Sequence, residues 1–133
     1  MRAGDVAVRD RPFVSFEMAT PAHQVIHQIA DSSWQDVFPV VGKDGKMVGM
    51  VDTELLRTFA SQPDFEFVTV AADLMQAPLS VSTSESLHAA IDLMLRHQLR
   101  ELPVVEESGK IVGFLDEADI TRAYMSAITP PDK

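Results

Sequence analysis

The chain has 133 residues, of which 46% are hydrophobic, and a formal net charge of −9. No apolar run reaches the roughly 18 residues of a membrane span, and with no cluster of Lys and Arg in an acidic chain, no nucleic-acid partner is expected. The absence of cysteine and of a secretory-signal pattern in these residues favours a cytoplasmic location.

The first half predicts a strand and then a helix. Residues 12–16 alternate apolar and polar side chains, which is typical of a short half-buried strand. Thr20 is the expected N-cap of a helix with Pro21 at its first position, ending near residues 32–33. The expected apolar face follows helical spacing: Ala22, Ile26, Ile29 and Ala30.

A hairpin and a second helix are predicted next. Residues 37–41 form a buried strand with Pro39 at its start or edge, residues 43–45 a turn, and residues 47–51 the returning strand. Asp52 or Thr53 caps a helix that extends to about Phe59. Residues 62–64 break that helix, residues 65–70 are extended, and residues 71–75 form a short turn.

The second half predicts the same order of elements. A short strand at residues 79–81 and a cap within residues 82–84 precede a helix, and the hairpin has strands at residues 102–105 and 111–115 around a turn at 107–109. Asp116 caps a last helix that ends near Ala127. The first of the two helices in this half is expected to have an apolar face that comprises Leu87, Ile91, Met94 and Leu95.

A repeat relates the two halves. The phrase "PVVGKDGKMVGMVD" at residues 39–52 returns as "PVVEESGKIVGFLD" at residues 103–116. The predicted organisation is a module at residues 11–62, a connecting segment at 63–76, a second module at 77–128 and a frayed tail at 129–133. The expected fold is α+β, with two β-α-β-β-α modules paired face to face with pseudo-twofold symmetry, because each sheet with helices on one side exposes an apolar face.

This repeated order resembles a tandem pair of CBS domains, the cystathionine-β-synthase regulatory module. The motifs "RPFV" at residues 11–14 and "WQDVFPVV" at 34–41 are similar to the cytoplasmic C-terminal region of bacterial chloride channel family proteins. The resemblance implies a regulatory, non-enzymatic pair that binds adenosine nucleotides in clefts between modules, forms a homodimer through its helices, and belongs to a membrane transport domain absent from this chain. A stand-alone CBS pair protein is the alternative.

The resemblance also assigns candidate ligand residues. Nucleotide-binding members end the hairpin with Gly-φ-φ-Thr/Ser-x-x-Asp, where the hydroxyl holds phosphate and the aspartate holds the ribose hydroxyls. In the second module Asp119 matches the ribose aspartate, but Asp116 replaces the hydroxyl and is expected to repel phosphate. In the first module Asp52 and Leu55 replace both polar groups, although Thr53 offers a nearby hydroxyl. A degenerate first site is therefore expected, with adenosine or AMP preferred to ATP at the second.

Apolar strand residues are the candidate walls for a base, although ordinary core packing is the favoured explanation for each of them, since apolar strand residues are mostly buried for packing. Arg100 is a candidate phosphate contact, with a solvated or salt-bridged arginine as the alternative. The candidate walls are Val81, Leu102, Pro103 and Val104 in the second module, and Val14, Phe38, Pro39 and Val40 in the first.

Other functions are weighed against this hypothesis. One is a structural dimerisation module with empty clefts; another is a divalent-cation sensor, suggested by the charge of −9. No metal site is expected, because His23 and His27 at i, i+4 spacing lack an identifiable third ligand. The sequence has no nucleophile elbow or phosphate-cradling glycine loop. Surface or packing roles are expected for the remaining candidates: His88, His97, Glu106, Glu107 and Trp34.

Overall fold

The computed structural model describes residues 1–32, 34–62 and 69–128. In these residues five α-helices and two β-sheets form a mixed α+β fold, which confirms the predicted class. The chain divides into two compact units. Here the first unit is Pro12–Leu79, and the second unit is Met1–Arg11 together with the chain from Ser80 onward. Within the described ranges, no helix is long and apolar enough to cross a lipid bilayer.

The first unit contains a four-stranded sheet of order β1-β2-β3-β4. β1 is parallel to β2, and the other neighbours are antiparallel. Two helices and a 3-10 turn pack with this sheet around a core that includes Phe16, Val25 and Val40. The elements are β1 Phe16–Glu17, α2 Ala22–Asp31, β2 Pro39–Val41, β3 Met47–Val51, α3 Thr53–Ala60, the 3-10 turn Ala71–Leu74 and β4 Met75–Gln76.

The start of the first unit differs from the prediction. The strand expected at residues 12–16 is confined to Phe16–Glu17, because the side chain of Gln35 takes the place of a strand partner. Its Oε1 accepts from the N–H of Val14 at 2.9 Å and its Nε2 donates to the carbonyl of Val14 at 2.7 Å. The helix cap is also different: Pro21 is the N-cap of α2, and the Thr20 hydroxyl accepts from the N–H of Glu17 instead.

The buried face of α2 is also shifted. Ala22 and Val25 are buried, Ile26 and Ile29 pack against the core, and Ala30 is exposed. The prediction was wrong in omitting Val25 and including Ala30. Both the observed set, which starts i, i+3, i+4 from Ala22, and the predicted set, i, i+4, i+7, i+8, are consistent with helical periodicity.

The second unit contains a three-stranded sheet of order β5-β6-β7. β5 is parallel to β6, and β6 is antiparallel to β7, as in the first unit. The two hairpins therefore repeat in structure as well as in sequence, and their turns contain Gly45 and Gly109 at φ of 82° and 92°. The elements are α1 Ala3–Val6, β5 Val81–Ser82, α4 Leu87–His97, β6 Glu101–Val105, β7 Ile111–Asp116 and α5 Glu117–Ile128.

Two expectations for α4 are wrong. The N-cap is Ser86, whose hydroxyl accepts from the N–H of Ala89 at 3.0 Å, so the helix begins later than a cap at 82–84 implies. Leu95 was placed on the apolar face but is 75% exposed, whereas Ala90 is completely buried. Several turn positions in the segment contain serine or threonine, and the sequence alone did not select among them.

A second repeat precedes each module and was missed. Ala3 and Ala71 are fully buried, and each begins a short helical turn with an aspartate two residues later. The Asp5 carboxylate accepts from the N–H of Arg2 at 3.1 Å, and Asp73 accepts from the N–H of Val70 at 3.0 Å. We call residues 2–8 the first lead and residues 70–76 the second lead.

The leads cover equivalent sheet edges in opposite units. The first lead belongs to the second unit, where Val8 forms an antiparallel bridge with Phe114 of β7. The second lead belongs to the first unit, where β4 pairs with β3. A Cβ on Gly113 would clash with the carbonyl oxygen of Val8, and one on Gly49 would lie 2.9 Å from the carbonyl oxygen of Gln76. Glycine at these positions therefore permits the leads to approach.

The limits of the predicted modules differ from those of the two compact units. The modules were defined by the sequence repeat, whereas the units are defined by contacts between residues in the structure. Residues 70–76 of the predicted connecting segment are ordered elements of the first unit. The extended segment predicted at residues 65–70 lies mostly outside the described residues, as does the frayed tail at 129–133. The caps at Asp52 and Asp116 and the returning strands are confirmed.

Candidate functional site

The candidate site lies where β7 ends and α5 begins. The N–H of Asp119 donates to Asp116 Oδ1 at 2.8 Å, and the N–H of Asp116 donates to Asp119 Oδ2 at 3.3 Å. The spacing of a strand end and the first helical turn produces this reciprocal capping arrangement, in which each carboxylate satisfies a backbone donor. The two aspartates assigned from the sequence are thus brought together by local backbone geometry.

Two arginines surround this pair. Arg11 Nη1 lies 2.9 Å from Asp116 Oδ2, and Arg11 Nη2 lies 3.5 Å from Asp119 Oδ2. Arg122, one turn along α5, places Nη2 at 3.5 Å from Asp119 Oδ1. Neither arginine was predicted as a site residue. We call Arg11, Asp116, Asp119 and Arg122 the charged cluster.

Exposure differs within the charged cluster. The side chain of Asp119 is only 6% exposed, whereas those of Asp116 and Arg11 are 24% and 28% exposed and that of Arg122 is 72% exposed. The side-chain contacts of Asp119 to described residues are 3.3 to 3.5 Å long, while charge-assisted hydrogen bonds are typically about 2.7–2.9 Å. Among the described residues, the contacts that hold this nearly buried carboxylate are therefore long.

The pKa values of the two carboxyls move in opposite directions. Burial raises the pKa of Asp119, and its hydrogen bond to Asp116 and the negative charge of that residue raise it further, against the effect of Arg11. Burial acts in the same direction on Asp116, but hydrogen bonds from Asp119 and Arg11 outweigh it and lower the pKa of Asp116. Asp116 is thus the anionic member of the pair across a wider pH range.

The equivalent position in the first unit has no such cluster of assigned polar groups. Asp52 Oδ1 accepts from the N–H of Glu54 and of Leu55, both at 3.1 Å, and so acts as a helix cap. Leu55 replaces the ribose aspartate and packs against the hydrophobic core. Thr53 is exposed on α3. These contacts agree with the expectation of a degenerate first site, which stays a prediction.

The candidate wall residues are packed as core. The side chains of Val81, Leu102 and Val104 are at most 2% exposed, and Pro103 is buried with them. In the first unit Phe38, Pro39 and Val40 are likewise buried, and Val14 is half-buried. Their burial supports the packing interpretation, and a wall for a base stays a prediction.

The other candidates lie mostly at the surface. Arg100 is exposed, and its carbonyl accepts from the N–H of Glu117 at 3.0 Å, which joins β6 to the start of α5. Glu106 and Glu107 are exposed in their turn, and Trp34 is half-buried. All four histidines are exposed: His23, His27, His88 and His97. Within the described part of the chain, no group of three His, Asp or Glu side chains is arranged to hold a metal ion.

An apolar groove lies between α4 and α5 in the second unit. It has a volume of about 330 Å³ and is lined by side chains that include Met94, Leu99 and Ile120. Leu95 borders it at 75% exposure, and farther along α5 the side chains of Tyr124 and Met125 are 39% and 57% exposed. The sequence predicted Leu95 on the apolar face of α4, and the resemblance implied a homodimer through the helices, but neither singled out this groove.

Comparison with protein-family models matches the CBS domain twice, at residues 3–60 and 70–126. Both matches begin at or next to a lead, which supports the longer structural repeat. Among curated proteins, a putative zinc metalloprotease of Synechocystis is 28% identical over 128 residues, or 94% of this chain and 33% of its own length. CBSX1, a chloroplastic CBS domain-containing protein of Arabidopsis thaliana, is 31% identical over 66% of this chain and 49% of its own length.

Solved structures share the fold. CBSX2 in complex with AMP is 24% identical, with a TM-score of 0.74 and coverage of 96% of this chain and 98% of that one. A CBS domain-containing protein from Thermotoga maritima is 25% identical, with the same TM-score and coverage of 100% and 98%. The cytosolic domain of the Mg²⁺ channel MgtE in complex with ATP is 20% identical, with a TM-score of 0.70 and coverage of 92% and 48%.

Proposed function

Because this chain belongs to the CBS domain family, we propose that it is a regulatory, ligand-sensing CBS pair that binds an adenosine-containing ligand at Asp119. Regulation by such a pair requires two arrangements with different affinities for the ligand, so that occupancy shifts their populations. The proposed role is binding, with no catalytic step assigned to any residue.

The state of the Asp119 carboxylate carries this proposal. Its side chain is 6% exposed and its described contacts are 3.3 to 3.5 Å long, so a better donor pair at short distance would be energetically favourable there. Two vicinal ribose hydroxyls are such donors. The AMP and ATP complexes of similar solved structures support an adenosine nucleotide as the ligand class.

Calorimetry tests the ligand assignment. Adenosine, AMP, ADP and ATP are titrated into the wild-type chain and into Asp119→Ala, and we expect adenosine or AMP to bind more tightly than ATP. Loss of the hydrogen bonds to the charged carboxylate should weaken binding about tenfold or more in Asp119→Ala. Tighter binding of ATP that is unaffected by Asp119→Ala would contradict the proposal.

Asp52→Asn is the matched control variant. Asn caps helices as well as Asp does, so this change retains α3 while removing the charge at the position that corresponds to Asp116. Since the first site is proposed to be degenerate, Asp52→Asn should leave the affinity for adenosine and AMP unchanged. An equal loss in Asp52→Asn and Asp119→Ala would place the ligand elsewhere.

A structural dimerisation module with empty clefts is the main competing function. Thermal unfolding with each nucleotide separates the two, because a ligand that binds only the folded chain raises the melting temperature. An unchanged melting temperature in millimolar adenosine, AMP, ADP and ATP would favour the structural role.

The attachment to a chloride channel on the cytoplasmic side is the narrower part of the proposal. It rests on the motifs at residues 11–14 and 34–41. The chain spans 33% and 49% of two curated relatives, one of which is a putative zinc metalloprotease. The complete reading frame of the gene tests this attachment. About ten or more apolar spans upstream, each of about 20 residues, would support a channel.

A homodimer is proposed through the groove between α4 and α5 in the second unit. Leu95 and Met125 are 75% and 57% exposed on these helices, and large apolar side chains on one face favour association with another copy.

A further inference from the structure

We propose that Arg11 determines ligand specificity at this site, favouring a nucleoside 5′-monophosphate over the free nucleoside. The inference rests on the proposed function and adds to it the residue that makes a phosphate acceptable. The sequence alone suggested that Asp116 repels phosphate, since a carboxylate replaces the expected hydroxyl. The structure places the Arg11 guanidinium 2.9 Å from that carboxylate.

The charges of the cluster balance. Asp116 and Asp119 contribute two negative charges, and Arg11 and Arg122 contribute two positive charges within 3.5 Å of them. A ligand phosphate therefore meets a cluster without net charge at the start of α5, where the helix dipole favours an anion. Without Arg11, the net charge would be −1, and Asp116 would lose its close counter-ion.

Arg11 is also the chemically suitable partner. Its guanidinium has a planar fork of N–H donors that matches the oxygens of a phosphate. The side chain is 28% exposed, against 6% for Asp119, so solvent and a ligand reach the cation while the ribose aspartate lies deeper. A cluster without net charge does not repel one phosphate, whereas the additional phosphates of ATP would meet a chain of net charge −9.

The internal repeat provides an independent comparison. Arg11 lies in the stretch between the first lead and β1, residues 9–15, which reads "RDRPFVS". The stretch between the second lead and β5, residues 77–80, reads "APLS" and has no charged residue. In the first unit, Leu55 stands at the position of the ribose aspartate. The stretch that follows the lead of this same unit has no cation. Arginine and ribose aspartate occur together in one copy and are both missing from the other.

The experiment measures the ratio of AMP affinity to adenosine affinity by calorimetry. In the wild type we expect AMP to bind more tightly than adenosine. In Arg11→Gln, AMP affinity should fall about tenfold or more, the effect of losing a charge-assisted bond, while adenosine affinity changes by less than about threefold. Arg11→Lys retains the charge and should preserve the preference for AMP. If Arg11→Gln does not fold, Arg11→Lys is the variant in which the ratio of the two affinities is measured.

Arg96→Gln is the matched control. Arg96 pairs with Asp92 on α4, outside the charged cluster, and its side chain is 65% exposed, so its removal should change the AMP to adenosine ratio by less than about threefold, as expected of an exposed pair. An equal effect of Arg11→Gln on both ligands, or tighter binding by that variant, would overturn the role of Arg11 and leave the proposed site standing. No binding of either ligand by the wild type would instead refute the proposed function itself.

Discussion

Val8 and Phe114 exchange two backbone hydrogen bonds: the N–H of Val8 donates to the carbonyl of Phe114 at 2.8 Å, and the N–H of Phe114 donates to that of Val8 at 3.2 Å. This bridge joins the first lead to the free edge of β7. Three residues after the bridge, Arg11 contacts Asp116 at the end of the same strand. The lead therefore determines where the arginine of the charged cluster lies.

Gly113→Ala should detach the first lead from β7. The added methyl would clash with the carbonyl oxygen of Val8, a backbone atom that cannot rotate away. We expect the free energy of unfolding to fall by about 1–3 kcal/mol, together with faster hydrogen exchange at the N–H of Phe114. In the control Gly42→Ala, the nearest atom lies 3.2 Å away on the flexible side chain of Asp44. A similar loss of stability in both variants would contradict this explanation.

Arg11→Gln should destabilise the chain by about 1 kcal/mol, between the small effect of an exposed ion pair and the larger one of a buried pair. The nearly buried carboxylate of Asp119 would lose one of its two cations. Urea denaturation measures the change. Lys46→Gln removes an equal charge from an exposed pair at 3.9 Å and should have almost no effect. Equal stability of wild type and Arg11→Gln would show that the cluster contributes no net stability.

The two aspartates should produce opposite dependences of stability on pH. The pKa of Asp116 in the folded chain is below its ordinary value of 3.8. Between these two pKa values, the unfolded chain therefore binds more protons than the folded chain. Wild type should therefore gain stability over Asp116→Asn as the pH rises towards 3.8, with a constant difference above it. Its contribution is lost as the pH falls through the folded pKa.

Asp119 has the reverse sign. Its pKa is raised above 3.8, so the folded chain binds more protons than the unfolded chain just above that pH. Wild type should lose stability relative to Asp119→Asn as the pH rises from about 3.8 through the folded pKa, and then remain parallel to it. Urea titrations of both variants from pH 3 to 7 measure these differences, and slopes of the same sign would contradict the assignment.

Leu95→Glu should weaken the proposed homodimer about tenfold or more, because a charge would be buried in an apolar contact. Sedimentation equilibrium measures the dissociation constant. Met18→Glu alters a side chain of the first unit that is 43% exposed, and it should leave association unchanged. Dimers of equal strength in both variants would move the interface away from α4 and α5.

The sequence predicted the hairpins and the caps at Asp52 and Asp116 well because these features depend on neighbours a few residues away, whereas the caps expected at Thr20 and at residues 82–84 were wrong. Asp52 and Asp116 accept from N–H groups two or three residues along the chain. The leads escaped notice because their shared motif, "AGDV" and "AADL", is short and has only two identical positions. Gln35 was missed for another reason: its bonds to Val14 span 21 residues, and no local pattern indicates such a pairing.

Sequence alone thus determined the repeated hairpin, its turn glycines, the capping aspartates and, through a family motif, Asp119 as the residue of interest. Tertiary structure decided which unit each lead covers, that Leu95 faces solvent, and that Asp116 has a counter-ion. The contact between Arg11 and Asp116 joins residues 105 positions apart. Because Coulomb energy depends on distance in space and on burial, the charge that a ligand meets at Asp116 follows from the fold and not from the motif that contains it.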